Sequence, residues 1–213
     1  LGYALFFSIE GLTNEYFGKA HILRDGKLTE VEAFSELEEV NLPEPLGRCE
    51  AFMTVGGTST CPWTFAGTLE EYWEKTVRYR GHYQIMKAIL DLGLLDETPV
   101  MVDGKEIIPR KVFHAVVGPR LQTDDPRDIV ALRVVVTGEK GRVEIDLIDR
   151  YDEATGFTAM QRTTGFGAAI VGIMLANGQF SPGSIRLERD VDPQKYIQEM
   201  ARRGFNLKMN VTA

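Results

Sequence analysis

The segment from Ile129 to Tyr151 reads IVALRVVVTGEKGRVEIDLIDRY. Two runs of alternating apolar and polar residues, Ile129 to Thr137 and Arg142 to Tyr151, flank the linker Gly138-Glu139-Lys140-Gly141. Alternation with a period of two is typical of a strand that has one covered face. A short glycine-containing linker between two such runs is typical of a hairpin. The segment therefore predicts two long antiparallel strands.

The rest of the chain adds further hairpins and several helices. Asp25-Gly26 and Asp103-Gly104 each predict a tight turn, because glycine tolerates the positive φ that such turns need. Helical spacing and Pro109 predict helices over His82 to Leu94, from Pro109 onward, and over Thr158 to Asn177. Because hairpins outnumber strand–helix–strand units, the sequence predicts an α+β fold. We expect a mixed, mostly antiparallel sheet with helices packed on one face.

Weaker patterns predict other elements. We expect strands at Gly2 to Ser8 and at Ser184 to Arg189, a short helix at Leu69 to Trp73, and a loop from Glu39 to Gly47. The second half of the helix that ends at Asn177 is apolar nearly all round, which predicts that it is buried.

Length and charge bound the class of protein. The chain has 213 residues, a net charge of −7, and 44% hydrophobic residues, which indicates one globular domain over residues 1–213. An acidic balance disfavours nucleic acid as a partner. The apolar run from Phe166 to Ala176 is too short for a bilayer, which needs about 20 residues. We expect a cytoplasmic protein without membrane or nucleic-acid partners. Because the chain begins with Leu1, we also expect it to be a piece of a longer protein.

The stretch from Thr76 to His82 is the first candidate site. It ends a predicted strand, turns at Gly81 and begins a helix, and such junctions commonly hold anionic groups. Arg78 is suited to bind a carboxylate through two parallel N–H bonds. His82 is suited to move a proton near neutral pH. In the alternative interpretation, Arg78 pairs with a structural acid and His82 caps the helix.

Two other polar stretches are candidates. The stretch Thr158 to Phe166 places polar side chains beside a helix stem that is expected to be buried, which is costly unless they have partners. The small-residue loop Gly56 to Thr60 follows a strand and would let a ligand approach the backbone. Ordinary helix capping and a plain turn are the respective alternatives. The candidate residues in these two stretches are Thr58, Gln161, Arg162 and Thr163.

Several familiar motifs are missing or incomplete. Gly165-Phe166-Gly167 is only a fragment of a dinucleotide fingerprint, since Ile170 occupies the position of the third glycine. The sequence has no phosphate-binding loop, no His-Glu-x-x-His zinc motif and no serine nucleophile elbow, and it suggests no metal site. The residues alone therefore indicate an acidic α+β domain with an arginine-containing pocket for a small anionic ligand.

Three ordered blocks resemble one family. The blocks Leu1 to Leu12, Thr76 to His82 and Ala159 to Phe166, with the intervening segment Ile85 to Asp96, are similar to the C-terminal catalytic domain of the saccharopine dehydrogenase and lysine 6-dehydrogenase family. The resemblance spans essentially the whole chain. The chain departs from the family pattern at Arg80 and Gly167, where many members have proline.

The resemblance implies a two-domain dehydrogenase. An N-terminal Rossmann domain, which we expect to be absent from this chain, would bind NAD or NADP. This chain would provide the substrate wall and form a homodimer through its open sheet. The reaction would oxidise the C–N bond of an amino acid such as lysine or saccharopine. Alternatively, the chain is a non-catalytic domain that binds an amino acid or assembles subunits.

The resemblance also gives roles to the candidate residues. Arg78 would bind the substrate carboxylate, and His82 would handle a proton or orient the substrate. The remaining candidates would line the pocket: Thr58, Gln161, Arg162 and Thr163.

Overall fold

The computed structural model describes residues 2–213 and confirms the predicted α+β fold. Within these residues, every strand pair is antiparallel. The chain forms two units, the first ending at Thr123 and the second spanning Asp124–Ala213. No helix in the described part of the chain is long and apolar enough to span a membrane.

The first unit combines short helices with three small sheets. Its helices α1 to α4 are Ile9–Asn14, Cys61–Phe65, His82–Asp91 and Pro109–Leu121. Its strands β1 to β7 are Lys19–Arg24, Lys27–Glu32, Glu38–Leu42, Gly47–Met53, Lys75–Tyr79, Val100–Val102 and Lys105–Ile107. The sheets have the strand orders β1-β2, β3-β4-β5 and β6-β7. The predicted turns at Asp25-Gly26 and Asp103-Gly104 join β1 to β2 and β6 to β7.

An aromatic cluster forms the core of the first unit. Tyr16, Phe34 and Phe52 are buried, and their rings lie 4.5 to 5.8 Å apart. Tyr83 stacks on Phe34, and its hydroxyl donates to the Phe34 carbonyl. Met86 of α3 is also buried in this core. The core thus joins the segment that follows α1 to β4 and α3, which places these elements beside the polar residues described below.

Three predicted elements of the first unit were wrong. Residues 2–8 form no strand; the Leu5 N–H instead donates to the Leu121 carbonyl, and alternate apolar side chains pack on the core. The stretch Leu69 to Trp73 forms no helix, because Tyr72 pairs with Leu23 of β1. The expected loop from Glu39 to Gly47 contains most of β3, because its two prolines follow the strand and lie in the turn before β4.

The second unit is one three-stranded sheet with helices. Its strands β8, β9 and β10 are Ile129–Gly138, Gly141–Arg150 and Leu207–Thr212, in the order β10-β9-β8. Its helices α5, α6 and α7 are Ala159–Ala176, Leu187–Asp190 and Pro193–Arg202. The hairpin predicted from residues 129–151 is confirmed over its whole length. The strand expected at Ser184 to Arg189 was wrong, since α6 begins there.

One face of this sheet is apolar. Cross-strand partners share a face, and the register aligns three apolar rows: Leu132, Leu147 and Leu207; Val134, Ile145 and Met209; Val136, Val143 and Val211. Leu147 is buried against α5 and α7. Val136 and Val211, at the other end, are 56% and 69% exposed.

The expected burial of the second half of α5 was wrong. Ile170 and Met174 are buried one turn apart, whereas Ile173 and Leu175 are 47% and 56% exposed. A single helical stripe therefore packs on the sheet, and the remaining apolar side chains of α5 stay accessible.

Candidate functional site

The predicted site residues lie in both units. Thr58, Arg78 and His82 belong to the first unit, and Gln161, Arg162 and Thr163 belong to the second. The hydrogen bonds described below join each group to other residues of its own unit.

Alternation along β5 aligns the polar residues of the first unit. Glu74, Thr76 and Arg78 are spaced by two residues, so their side chains point to the same side of an extended segment. The Thr54 hydroxyl at the end of β4 lies 2.8 Å from the Thr76 hydroxyl. Lys75, which lies between Glu74 and Thr76 in the sequence, has its side chain on the opposite side of the strand. Its Nζ lies 3.1 Å from the Glu38 carboxylate. One strand face therefore carries Glu74 and Arg78 together.

Arg78 is the centre of a polar network. One Nη donates to the Glu15 carboxylate at 3.2 Å, and Nε donates to the Tyr16 hydroxyl at 3.3 Å. The other Nη donates to the Val77 carbonyl at 3.0 Å. The guanidinium lies 5.3 Å from the centre of the Tyr3 ring. Arg78 thus pairs with an acid of its own chain, through one guanidinium nitrogen rather than two.

His82 reaches this network through Tyr16. Its side chain is buried, and Nε2 lies 2.9 Å from the Tyr16 hydroxyl. The ring also packs 5.5 Å from the ring of Tyr3. A chain of contacts therefore runs from Arg78 through the Tyr16 hydroxyl to His82.

The N-terminus of α3 is capped by a side chain from the neighbouring strand. The Glu50 carboxylate accepts the N–H groups of Gly81, at 3.0 Å, and Tyr83. Glu50 lies opposite Arg78 in the register of β4 and β5. A carboxylate of the protein thus occupies the helix terminus that the sequence indicated for an anion, and His82 is not the capping residue.

Burial raises the pKa values of the acidic groups in this network. Burial raises the pKa of Glu15 and of Tyr16, and Arg78 offsets part of both shifts. Burial also raises the pKa of Glu74, although the Thr54 hydroxyl partly offsets this, and the nearby charge of Glu15 raises it further. Burial likewise raises the pKa of Tyr3. Arg78, which is paired with Glu15, thus lowers the pKa of both Glu15 and Glu74 against the effect of burial.

The loop of residues 56–60 packs against Glu74. A Cβ on Gly57 would lie 2.1 Å from Glu74 Oε2, so this position has no room for a side chain. Thr58 is buried, and its hydroxyl donates to the His21 carbonyl at 2.9 Å. The small residues of this loop accommodate a carboxyl group and tie the loop to β1.

Arg162 is held much more completely than Arg78. Its Nε donates to Asp149 at 2.9 Å, and its Nη1 donates to Asp152 at 3.1 Å. Nη2 reaches Asp149 and the Arg203 carbonyl. The guanidinium lies 5.1 Å from the Phe205 ring centre. Two carboxylates and a carbonyl thus surround a side chain that is 9% exposed.

The other predicted residues of the second unit cap α5. The Thr158 hydroxyl accepts the Gln161 N–H, and the Gln161 side chain accepts the Thr158 N–H, which is a capping box. The Thr163 hydroxyl donates to the Ala159 carbonyl at 2.8 Å. Asp128 accepts the first N–H groups of the helix. These contacts match the capping alternative, and a substrate role for Gln161 and Thr163 stays a prediction.

Glu15, Tyr16 and Glu74 were missed in the sequence. The period of two in Glu74, Thr76 and Arg78 was a usable signal for Glu74. Glu15 and Tyr16 follow α1, some 60 residues before β5, and no local pattern connects them with Arg78.

The described residues do not fit a dinucleotide site. Such a site requires a parallel strand, a glycine-rich turn and a helix whose N-terminus meets the pyrophosphate. Strand pairs among residues 2–213 are antiparallel. Glu50 and Asp128 occupy the N-termini of α3 and α5. Gly165 and Gly167 lie within α5 rather than in a turn.

Sequence comparison decides the family. The family model of the saccharopine dehydrogenase C-terminal domain matches residues 1–205. The chain belongs to this family. The resemblance seen in the sequence blocks is therefore confirmed, and the saccharopine dehydrogenase C-terminal domain covers both units.

The fold has a counterpart among solved structures. Apo histidine-tagged saccharopine dehydrogenase (L-Glu forming) from Saccharomyces cerevisiae is similar to this saccharopine dehydrogenase C-terminal domain, with a TM-score of 0.73 and 18% sequence identity. The alignment covers 100% of this chain and 63% of that chain. At this identity the likeness shows the fold, and the chain spans less than two thirds of the yeast protein's chain.

Proposed function

We propose that this chain is the substrate-binding and dimerisation part of an NAD(P)-dependent oxidoreductase. The enzyme oxidises the C–N bond of an amino acid such as lysine or saccharopine in the cytoplasm. The observation that carries this proposal is the Arg78 network, in which an arginine of the family's C-terminal domain pairs with a single, partly exposed carboxylate. The oxidation needs a hydride acceptor, which no side chain provides. NAD or NADP therefore belongs to the proposal and is bound mainly by a Rossmann domain outside this chain.

Arg78 is suited to exchange partners when a substrate binds. Its link to Glu15 uses one guanidinium nitrogen, and the Glu15 side chain is 33% exposed. A substrate carboxylate can offer two oxygens in the fork geometry that arginine prefers. Burial raises the pKa of Glu15, which lowers the cost of releasing it from the guanidinium. We therefore assign the substrate carboxylate to Arg78.

His82 acts in this proposal by holding Tyr16. Because its ring is buried, its route to a substrate leads through the Tyr16 hydroxyl at 2.9 Å. The same hydroxyl accepts from Arg78 Nε. His82 thus supports the orientation of the guanidinium through the Tyr16 hydroxyl. Thr58 contributes indirectly by securing the loop beside Glu74.

Arg162, Gln161 and Thr163 remain in the proposal as residues that line the substrate wall. Their support is the resemblance of the block Ala159 to Phe166 to the family. The contacts of Arg162 with Asp149 and Asp152 give it a structural role as well.

A turnover assay tests the proposal against its rival. The full-length protein, incubated with NAD or NADP and a panel of basic amino acids and saccharopine, should form NADH or NADPH with at least one of them. Binding of an amino acid without any turnover would instead identify a non-catalytic binding or assembly domain.

The dimer in this proposal forms through β8. This edge strand is ten residues long, and Val134, Val135 and Val136 are 40 to 56% exposed. An unprotected apolar edge is a template for another strand, and pairing with the same edge of a second copy satisfies two-fold symmetry.

Replacing Val136 with lysine should shift the full-length protein from dimer to monomer in analytical ultracentrifugation. Thr137→Lys, whose side chain lies on the opposite face of the sheet, is the matched control and should remain dimeric. A Val136→Lys protein that stays dimeric would remove β8 from the interface.

A further inference from the structure

The carboxyl group of Glu74 is held by two threonine hydroxyls. Its carboxylate accepts hydrogen bonds from the hydroxyls of Thr54 at 3.3 Å and Thr76 at 3.5 Å. The two basic side chains nearest to it along the strand pair with other carboxylates, Lys75 with Glu38 and Arg78 with Glu15. Hydroxyl donors are weaker partners for a carboxylate than cationic ones.

The basic residues that neighbour Glu74 along the strand form their ion pairs with other acids. Arg78, two strand positions beyond Thr76, is committed to Glu15 at 3.2 Å. Lys75 points to the opposite side of the strand and pairs with Glu38. Glu15, Glu74 and Arg78 therefore carry two potential negative charges and one positive charge.

The Glu74 side chain is held in place by its neighbours in the fold. Gly57 leaves the space that the carboxyl group occupies, since a Cβ there would lie 2.1 Å from Oε2. Thr58 anchors the same loop through the His21 carbonyl. Burial raises the pKa of Glu74, and a cationic ligand would reverse this effect by favouring the ionised form.

We propose that Glu74 is a specificity-determining residue that binds the side-chain ammonium group of the substrate, while Arg78 binds its α-carboxylate. This inference rests on the proposed function, which places an amino acid at the Arg78 network. An ammonium group donates up to three hydrogen bonds and supplies the positive charge that the carboxylate pair lacks. Glu74 thereby selects amino acids with a positively charged side chain over those with an apolar one.

Calorimetric titration of the full-length protein tests this role. L-lysine and L-norleucine are the probes, because they differ only in the terminal ammonium group. The wild-type protein should bind L-lysine more tightly than L-norleucine. Glu74→Gln should weaken L-lysine binding by at least about tenfold, as expected for the loss of a charged hydrogen bond, and should leave L-norleucine binding unchanged.

Glu70→Gln is the matched control, because this neighbouring carboxylate is exposed. It should bind both probes like the wild type. Thermal unfolding of each variant establishes that it is folded. A folded Glu74→Gln protein that binds L-lysine as well as the wild type does would overturn the assignment, and so would a wild-type protein that binds both probes equally or neither.

NADH or NADPH formation separates this inference from the proposed function. Binding of L-lysine that depends on Glu74, without turnover, supports the ammonium site and removes the dehydrogenase activity. Turnover of a basic amino acid, together with L-lysine binding that is independent of Glu74, would support the dehydrogenase activity and remove the ammonium site.

Discussion

Arg78 and Arg162 look equivalent in the sequence, yet the two units surround them very differently. Arg162 donates hydrogen bonds to two aspartates and a backbone carbonyl. Arg78 donates hydrogen bonds to one glutamate, a tyrosine hydroxyl and a backbone carbonyl. The pKa of Asp152 lies below its usual range, because the Thr155 hydroxyl and the Ala154 N–H donate to it and Arg162 adds its charge. Burial raises the pKa of Glu15 beside Arg78.

This difference separates an arginine that holds a fold together from one that can change partners. A buried arginine with two ionised partners is costly to disturb. An arginine that is joined to a single carboxylate through one guanidinium nitrogen can accept a substrate carboxylate at lower cost. We therefore assign a structural role to the Arg162 network and propose a recognition role for the Arg78 network.

Arg162→Ala should cause the largest change in stability. It leaves Asp149 buried without its cation, which costs about 3–5 kcal/mol for a buried ion pair. Urea unfolding of the chain measures this loss, and hydrogen exchange should locate it in the second unit. Arg142→Ala, which breaks an exposed pair with Glu144, serves as the control and should cost less than about 1 kcal/mol. A small loss of stability in Arg162→Ala would contradict the difference between the Arg162 and Arg78 networks.

Glu50→Ala should come next. It exposes the N–H groups of Gly81 and Tyr83 at the start of α3, at a cost of about 1–3 kcal/mol for the loss of buried hydrogen bonds. Unfolding in urea measures the loss, and Glu39→Ala at a more exposed position of the neighbouring strand is the control. Unchanged stability would show that this helix terminus is open to an external anion after all.

Glu74→Gln and Asp152→Asn should give the smallest effects, with opposite signs. Because burial raises the pKa of Glu74, its contribution to stability is full below the unfolded value of 4.5 and is lost as the pH rises through the folded pKa. Glu74→Gln should therefore unfold at a slightly higher temperature than wild type at pH 7, and the gain should disappear towards pH 4.5.

Asp152 has the reverse dependence. Its lowered pKa makes its contribution present above 3.8 and lost as the pH falls through the folded value. Asp152→Asn should unfold at a lower temperature than wild type at pH 7, with the difference shrinking in acid. Melting curves from pH 7 to pH 3 check both variants, and shifts of the same sign would contradict the contrast between the networks.

The sequence predicted the hairpins well, because alternation and Asp-Gly turns are local signals. The prediction failed where contacts between residues distant in the sequence determine the local structure or burial. Tyr72 pairs with Leu23 and removes the expected helix at Leu69 to Trp73. The apolar residues of α5 predicted burial, but the sheet covers only the stripe that contains Ile170 and Met174.

The candidate site was predictable only in part. Arg78 and His82 stood out because strong hydrogen-bonding groups flank a strand–turn–helix junction. Their partners Glu15 and Tyr16 come from another element, and only the fold brings them to β5. The carboxylates of Glu50 and Asp128 likewise reach the two helix termini from distant positions, which sequence spacing does not reveal.

The most direct test of the central claim is the KM for the amino-acid substrate in full-length Arg78→Ala. The account predicts that this KM rises at least about tenfold, as expected for the loss of a charged hydrogen bond, while the affinity for NAD or NADP changes little. An unchanged KM in the folded variant would remove Arg78 from the substrate site and contradict the account.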